Sequence, residues 1–523
     1  MFLGETTPRR ARPAGVTLVA LPVAVLVAAS SCAEPAIILG EPGTTTSDSL
    51  GLTGRPPEGE DSSSSTGDDG PIPPPCGIEG EACTTNKIDL LFVIDNSGTM
   101  GEEQLNLASN FPGLIEQLQQ LEDGHGDVVG ADVNIMVTTS DFDNPNCHGP
   151  WSKPDYVAAK GSPIYTPCTE RLERFTGFGD DPLVIEEACL ESCDPAGAAS
   201  PSDQFIHFDP EGDNVVGGDA ADALGCVGPQ GIDGCGFEAP LESMSQALNP
   251  AACWNDPANC GDPAWAWIEQ PFLRDGAVLA IAIITDEADC SVKDFSIMDD
   301  PTFMEVDPIS GVQRSSSAIC WNAGVVCTEL DPRTGEYAGC TSANRSPEGE
   351  VGVSDGAAVL QPLSRYTNVL AALRAEGREI IMLGVLGVPE VTDHADAPPH
   401  HPTAGGLDAL VYRTWRDPDV PGGGDILPDE WSDGVRAVHK QFEFGVGPGC
   451  TGYDPLGGTY TGQAIPPVRI REVCESLDTP DDPDTVADET RIRCCVESIC
   501  GDDFSPAIRC LTGLIQEAVT PVG

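Results

Sequence analysis

From residue 88 onward, runs of consecutive apolar residues alternate with segments whose apolar positions recur every three or four residues. IDLLFVI (88–94), VNIMVTTS (133–140), AVLAIAIIT (277–285) and EIIMLGVLG (379–387) are continuous apolar runs of strand length. A strand that is apolar on both faces is buried on both, as in a parallel sheet covered by helices. The helical patterns fall between them: MGEEQLNLASNFPGLIEQLQQLE (100–122), interrupted by Pro112, then FEAPLESMSQAL (237–248) and AAVLQPLSRYTNVLAALRAE (357–376). FEFGV (442–446) and the helix-like SPAIRCLTGLIQEAV (505–519) finish the series. The alternation predicts an α/β fold, a doubly wound, mainly parallel central sheet flanked by helices. Cys-, Pro- and Gly-rich stretches at about 141–235, 290–355 and 389–440 read as long insertions, and no fixed-period repeat is present.

The first 75 residues follow neither pattern. A basic leader, MFLGETTPRRARPAG, precedes the 14-residue apolar run VTLVALPVAVLVAA (16–29), too short to span a bilayer comfortably and suited to an export signal. The run closes in ASSC, which resembles the bacterial lipobox. Residues 1–32 are then a lipoprotein signal peptide, and Cys32 becomes the lipidated N-terminus and a membrane anchor. Cleavage near Ala29 with Cys32 left free is the alternative. Residues 33–75, rich in Ser, Thr, Gly, Pro and Asp, have too little apolar content to order themselves and read as a tether with a reach of about 35–40 Å. One globular region, 76–523, follows. Ala33 stands where an Asp would mark inner-membrane retention, which favours the outer membrane or cell surface.

Charge narrows the partners. The 523-residue chain has 26 Lys plus Arg against 84 Asp plus Glu, a net of −58. Nucleic acid and an anionic membrane surface are excluded as electrostatically attracted partners, and any anionic ligand needs a bridging cation. The 21 cysteines point to an oxidising compartment; setting Cys32 aside leaves 20, or up to ten disulfides. Cys76–Cys83, Cys189–Cys193, Cys253–Cys260 and Cys320–Cys327 are the candidate local bridges.

The candidate chemistry lies where the buried runs stop. LFVIDNSGTM (91–100) passes from four apolar residues to Asp95, Ser97 and Thr99 at every second position, and AVLAIAIIT is followed by Asp286. In a doubly wound sheet both acids fall at the carboxyl ends of strands, on one rim. Two carboxylates and two hydroxyls form an all-oxygen set suited to Mg²⁺ first, with Mn²⁺ or Ca²⁺ as alternatives.

DNSGT after one buried strand and ITDE after a later one resemble the metal-ion-dependent adhesion site of von Willebrand factor type A domains, whose fold is Rossmann-like. The family's Asp-x-Ser-x-Ser and later Asp match Asp95, Ser97 and Asp286, with Thr99 for the third serine. The resemblance covers the core elements between about 87 and 520 and implies a metal with one open position, completed by a carboxylate from a protein or matrix ligand. At the family's loop-threonine position stands Cys235, and Glu238 could reach the ion instead, directly or through water. TMGEE (99–103) resembles the acidic extension that holds a second ion in integrin β subunits, through Glu102 and Glu103; first-turn acids favoured by the helix dipole are the simpler reading. Asp289 is either a supporting group or a solvated loop residue beside a Cys290 disulfide. GQAIPPVRIREVCESL and SICGDDFSPAIRCLTGLI resemble segments of exported bacterial lipoproteins built on this domain.

Enzymatic readings fit less well. DNSGT differs by one residue from the Asp-x-Asp-Gly-Thr of haloacid-dehalogenase phosphatases, but Ser97 stands where a general acid/base is needed, and a serine does not exchange its proton near pH 7. HADAPPHHP gathers His394, Asp396, His400 and His401, which invites zinc, but its prolines favour an exposed loop. The expectation is a cell-envelope interaction module and not an enzyme. A metal-dependent hydrolase on the same rim and a structural envelope protein with a degenerate metal site are the alternatives.

Overall fold

The computed structural model describes residues 85–519, apart from 123–127, 129, 149–152, 154–155, 178–182, 191–192, 194–198, 422, 429–434, 455–457, 480–490 and 502. The export signal with Cys32, the tether and the Cys76–Cys83 pair lie outside these residues.

Each of the four apolar runs forms a strand: β1 (Lys87–Ile94), β2 (Asp132–Thr139), β5 (Val278–Ile284) and β6 (Ile380–Leu386). Side chains alternate across a strand, so each run fills two cores. Ile88, Leu90, Phe92 and Ile94 point into one, and Leu91 and Val93 into the other. The first core is closed by α1 (Gly101–Gln119), α2 (Ala220–Val227) and α8 (Ser505–Val519). The second is closed by α3 (Pro240–Ala247), α5 (Leu363–Ala375) and α7 (Val468–Glu475). The fold is therefore mixed α/β around a seven-stranded, mostly parallel sheet. With β3 (Ile206–Asp209), β4 (Gly212–Asp213) and β7 (Cys494–Ser498), the order is β7-β6-β5-β1-β2-β3-β4. The pairings from β7 to β2 are parallel, and β3 and β4 add an antiparallel edge.

Several expectations need correction. Helix α1 runs through Pro112 without a break. FEFGV is not a strand: α6 (Ala437–Phe444) includes its first three residues and ends at Gly445, whose φ of 76° is the left-handed helix stop that glycine adopts without a Cβ clash. The stretch 141–235 is not an appendage, because it supplies β3, β4 and α2. Its signals were short: the hairpin IHFDPEGD, and the reciprocal Asp219–Asp222 cap that starts α2. Strand β7 escaped the pattern because CCVES carries only one branched apolar residue.

Nine disulfides join the described cysteines, and of the three candidate local bridges that fall on them Cys253–Cys260 forms while Cys189–Cys193 and Cys320–Cys327 do not. Cys189 bonds Cys168, and Cys193 bonds Cys226 from α2. Cys320, in α4 (Ala318–Gly324), bonds Cys290 after β5, while Cys327 meets Cys340 across an antiparallel hairpin. Among the described residues no helix is long and apolar enough to cross a membrane.

At the amino end of the sheet, Asp89 is fully buried within β1 and its pKa is pushed up to about 6 by burial, against the pull of Arg274. The Arg274 backbone and guanidinium donate to Asp89 at 2.7 and 2.8 Å, and the same guanidinium reaches the Asp132 carboxylate and the Ile88 carbonyl. Truncating one member of such a pair leaves a buried charge behind. Arg274→Met is expected to destabilise the fold by about 3 kcal/mol, and adding Asp89→Asn should recover part of that loss; urea denaturation of the two variants checks both.

Candidate metal centre

The site is set by the register of β1 against its two neighbours. Ile94 lies opposite Ile284 of β5, and the Asp95 N–H donates to the Ile284 carbonyl at 2.9 Å. On the other side Ile94 pairs with Thr139 of β2, and the Ser140 N–H donates to the Ile94 carbonyl at 3.1 Å. Asp95, Asp286 and Asp141 therefore leave the carboxyl ends of three adjacent parallel strands. The chain passes from β1 to β2 on one side and returns to β5 on the other, the switch point at which crevices form in such sheets.

Local hydrogen bonds shape the turn after β1. One Asp95 carboxylate oxygen accepts the Ser97 N–H at 2.7 Å, and the other accepts the Thr285 hydroxyl. The hydroxyls of Ser97 and Thr99 are 3.1 Å apart. Gln104, in the first turn of α1, donates to the Asp95 carbonyl at 2.7 Å and accepts the Gln230 N–H at 2.7 Å, which ties the turn to the first insertion. Asp95, Ser97 and Asp286 are buried, whereas Thr99 is exposed and is the member that opens to solvent.

A second loop, 234–239, is stitched across the same rim. Gly234 donates to the Asn96 carbonyl at 2.8 Å, Cys235 to the Asp141 carboxylate at 3.1 Å, and Ala239 to the Ser140 carbonyl at 2.9 Å. A Cβ on Gly234 would lie 2.5 Å from the Asn96 side-chain amide, so this crossing needs glycine. Cys235, at the expected loop-threonine position, is bonded to Cys147 and has no thiolate to offer. Glu238 is buried, and one of its oxygens accepts the Ser140 hydroxyl while Oε1 has no hydrogen-bond partner.

The electrostatics follow from crowding. Burial, opposed by the Thr285 and Ser97 hydrogen bonds, raises Asp95 to about 6. Burial and then the charge of Asp95 raise Asp286 to about 8, with the Thr99 hydroxyl pulling the other way. Glu238 is pushed well up by burial and then by Asp95 and Asp141; Glu287 is pushed well up by burial and then by Asp286 and Asp95. Carboxylates gathered out of water either retain protons or share a cation.

The donor set fits a hard divalent cation. Asp95, Ser97, Thr99, Asp286 and Glu238 offer only oxygen, and Asp286 Oδ1 and Glu238 Oε1 are buried without hydrogen-bond partners. Among the described residues no group of three or more His, Cys, Asp or Glu side chains is arranged to hold a metal, so hydroxyls would have to complete the pair Asp95 and Asp286. Asp141 and Glu287 were missed by sequence reasoning. Asp141 could have been found, since it closes the second buried run as Asp95 closes the first.

Other candidates have different places. Glu103 is buried, and the Glu102 side chain lies outside the described set. Asp289 is buried and is not a solvated loop residue. It accepts from Arg469 at 2.9 Å and from the Leu241 N–H at 3.3 Å, joining α7 to the start of α3. The histidine group disperses: His394 pairs with Glu497 of β7 at 2.8 Å, and His400 meets the Ala395 carbonyl.

No protein-family profile matches the chain, and no curated protein matches it. Among solved structures, 58% of the chain aligns with 25% of a pilus adhesin, SpaC from Lactobacillus rhamnosus GG, at 12% identity and a TM-score of 0.20. The chain thus spans a quarter of that adhesin's length, and a likeness of this size carries no argument about function.

The raised pKa values give a sign for pH dependence. Without a divalent cation the folded chain holds its rim protons more tightly than the unfolded chain does, so this cluster's stabilisation is full below about pH 4 and declines as pH rises towards 8. Melting temperature measured in EDTA should fall over that range, less steeply in Asp286→Asn, and saturating Mg²⁺ should flatten the fall.

Proposed function

We propose that the chain is an exported envelope protein whose rim binds a carboxylate-bearing protein or matrix ligand through a divalent cation, in the manner of a von Willebrand factor type A domain. The observation that carries this reading is the side-by-side placement of Asp95 and Asp286 on adjacent strand ends, with the Ser97 and Thr99 hydroxyls between rim and solvent and Asp286 Oδ1 left unpaired. Asp95, Ser97, Thr99 and Asp286 would hold the ion, with Glu238 directly or through water. Bound there, the cation would supply a Lewis-acidic position for a partner's carboxylate.

The chain's own residues do the remaining work. Thr285 and the Ser97 N–H orient the Asp95 carboxylate, Gln104 fixes the turn that presents the hydroxyls, and Ser140 aims Glu238. The net charge of −58 also supports a bridged encounter, because an acidic ligand meets repulsion everywhere that no cation stands between. An anchor at Cys32 and the tether after it would hold the domain clear of a membrane, at the outer membrane or cell surface.

Calorimetric titration of residues 76–523 with Mg²⁺, Mn²⁺ and Ca²⁺ tests the reading. Saturable binding, strongest for Mg²⁺, is expected in the native chain and at least a hundredfold weakening in Asp95→Ala. Equal heats in the two proteins would leave the rim structural.

A further inference from the structure

Beside the rim lies a cleft that the oxygen set does not use. It has a volume of about 160 Å³ and is lined by Thr99 together with Trp415, Ile426, Leu427, Lys440 and Phe444, residues of the third insertion and α6. Its back wall is closely packed. Trp415 is 5% exposed and packs in a core cluster with Trp321, Tyr412 and Val468. The Trp415 ring sits 6.0 Å from that of Phe444, and its backbone N–H donates to Gln441 of α6 at 3.1 Å.

Three features say what fits. The paired Trp415 and Phe444 rings give the cleft an aromatic wall. Ile426, Leu427, Val435 and Phe444 make most of the remaining lining apolar, with Gln463 as its one uncharged polar side chain besides Thr99. The volume is below the roughly 300 Å³ of a site for a whole small molecule, and suits one side chain. At the edge, the Lys440 ammonium lies 5.0 Å from the Phe444 ring centre with its charge partnered by Glu443 at 2.8 Å, and Thr99, shared between this cleft and the oxygen set, is what joins an acidic group to the apolar one.

We propose that this cleft is a specificity pocket for an extended acidic peptide of the partner: an apolar side chain next to the ligand's Asp or Glu enters it and packs against the Trp415 and Phe444 rings. The placement of the neighbouring carboxylate at Thr99 rests on the function proposed above; the apolar and indole contacts do not. A neutral sugar or an apolar small molecule would satisfy only part of the lining, and a polyanion would meet the acidic rim.

The test uses the chain labelled with 5-fluorotryptophan, whose seven tryptophans give separate ¹⁹F signals, Trp415 being identified by its loss in Trp415→Phe. The probes are acetylated hexapeptides with a central Asp flanked by Leu, Phe, Gly or Lys, titrated with Mg²⁺ and again with EDTA. Leu or Phe peptides should shift the Trp415 signal and bind about tenfold or more tightly than the Gly peptide. Leu427→Asp should erase that preference while leaving the heat of Mg²⁺ binding intact. Trp415→Phe, which removes the five-membered ring of the indole together with its N–H and leaves a smaller wall, should weaken the Leu peptide about threefold to tenfold. A Trp415 signal that no peptide moves, or equal affinity for all four peptides, overturns the pocket. Apolar preference that persists unchanged in EDTA, with no Mg²⁺ heat, would keep the pocket and overturn the metal reading instead.

Discussion

Burying a strand on both faces leaves it only its two ends to offer to water, and in this chain the consequences gather at one end. The fully apolar runs of β1, β2 and β5 place themselves side by side because each needs covering above and below. Parallel pairing then brings all three chain exits to the same rim. Just past the strand ends stand the polar residues Asp95, Ser140 with Asp141, and Thr285 with Asp286. Their acids converge without any long-range guidance beyond the register of Ile94 against Thr139 and Ile284.

Convergence of like charges is unfavourable, and the surrounding structure shows how it is held. Asp95 receives a backbone N–H and a hydroxyl, Asp141 receives Tyr156 and two backbone N–H groups, and Glu238 receives Ser140. These bonds stabilise charge but do not match the desolvation, which is why burial stands first among the causes raising Asp95, Asp286, Glu238 and Glu287. The Cys147–Cys235 bond closes 88 residues across this crowded place. Such a closure limits the unfolded chain by about 4–5 kcal/mol in the chain-entropy account. It also pins the loop that delivers Glu238. A disulfide at the position where the resemblance implied a threonine is thus a structural clamp.

The long insertions build surfaces around the rim and are not passive loops. The first extends the sheet by β3 and β4 and supplies Gln230 to the turn after β1. The second is locked to the exit of β5 by Cys290–Cys320. The third, with α6, raises the wall of Trp415, Ile426 and Phe444 next to Thr99. The sheet supplies a scaffold, and the insertions give the surface around its rim its shape.

Much of this was legible before any coordinates. Unbroken apolar runs identified four of the five parallel strands, and the residues at which two of them stop identified Asp95 and Asp286, because strand burial is a property of consecutive residues. What stayed hidden depended on contacts between residues far apart in the chain. β7 is recognisable only as the partner of β6, and Cys189 and Cys193 lie four apart yet bond in opposite directions. Asp289 looked like a loop acid until Arg469, 180 residues later, came to meet it. Periodicity reports which face of an element seeks cover, and the sequence by itself settled that. Which element provides the cover, which cysteine lies within bonding reach, and which carboxylate finds a cationic partner are matters of distance in the folded chain, and only the tertiary structure decided them.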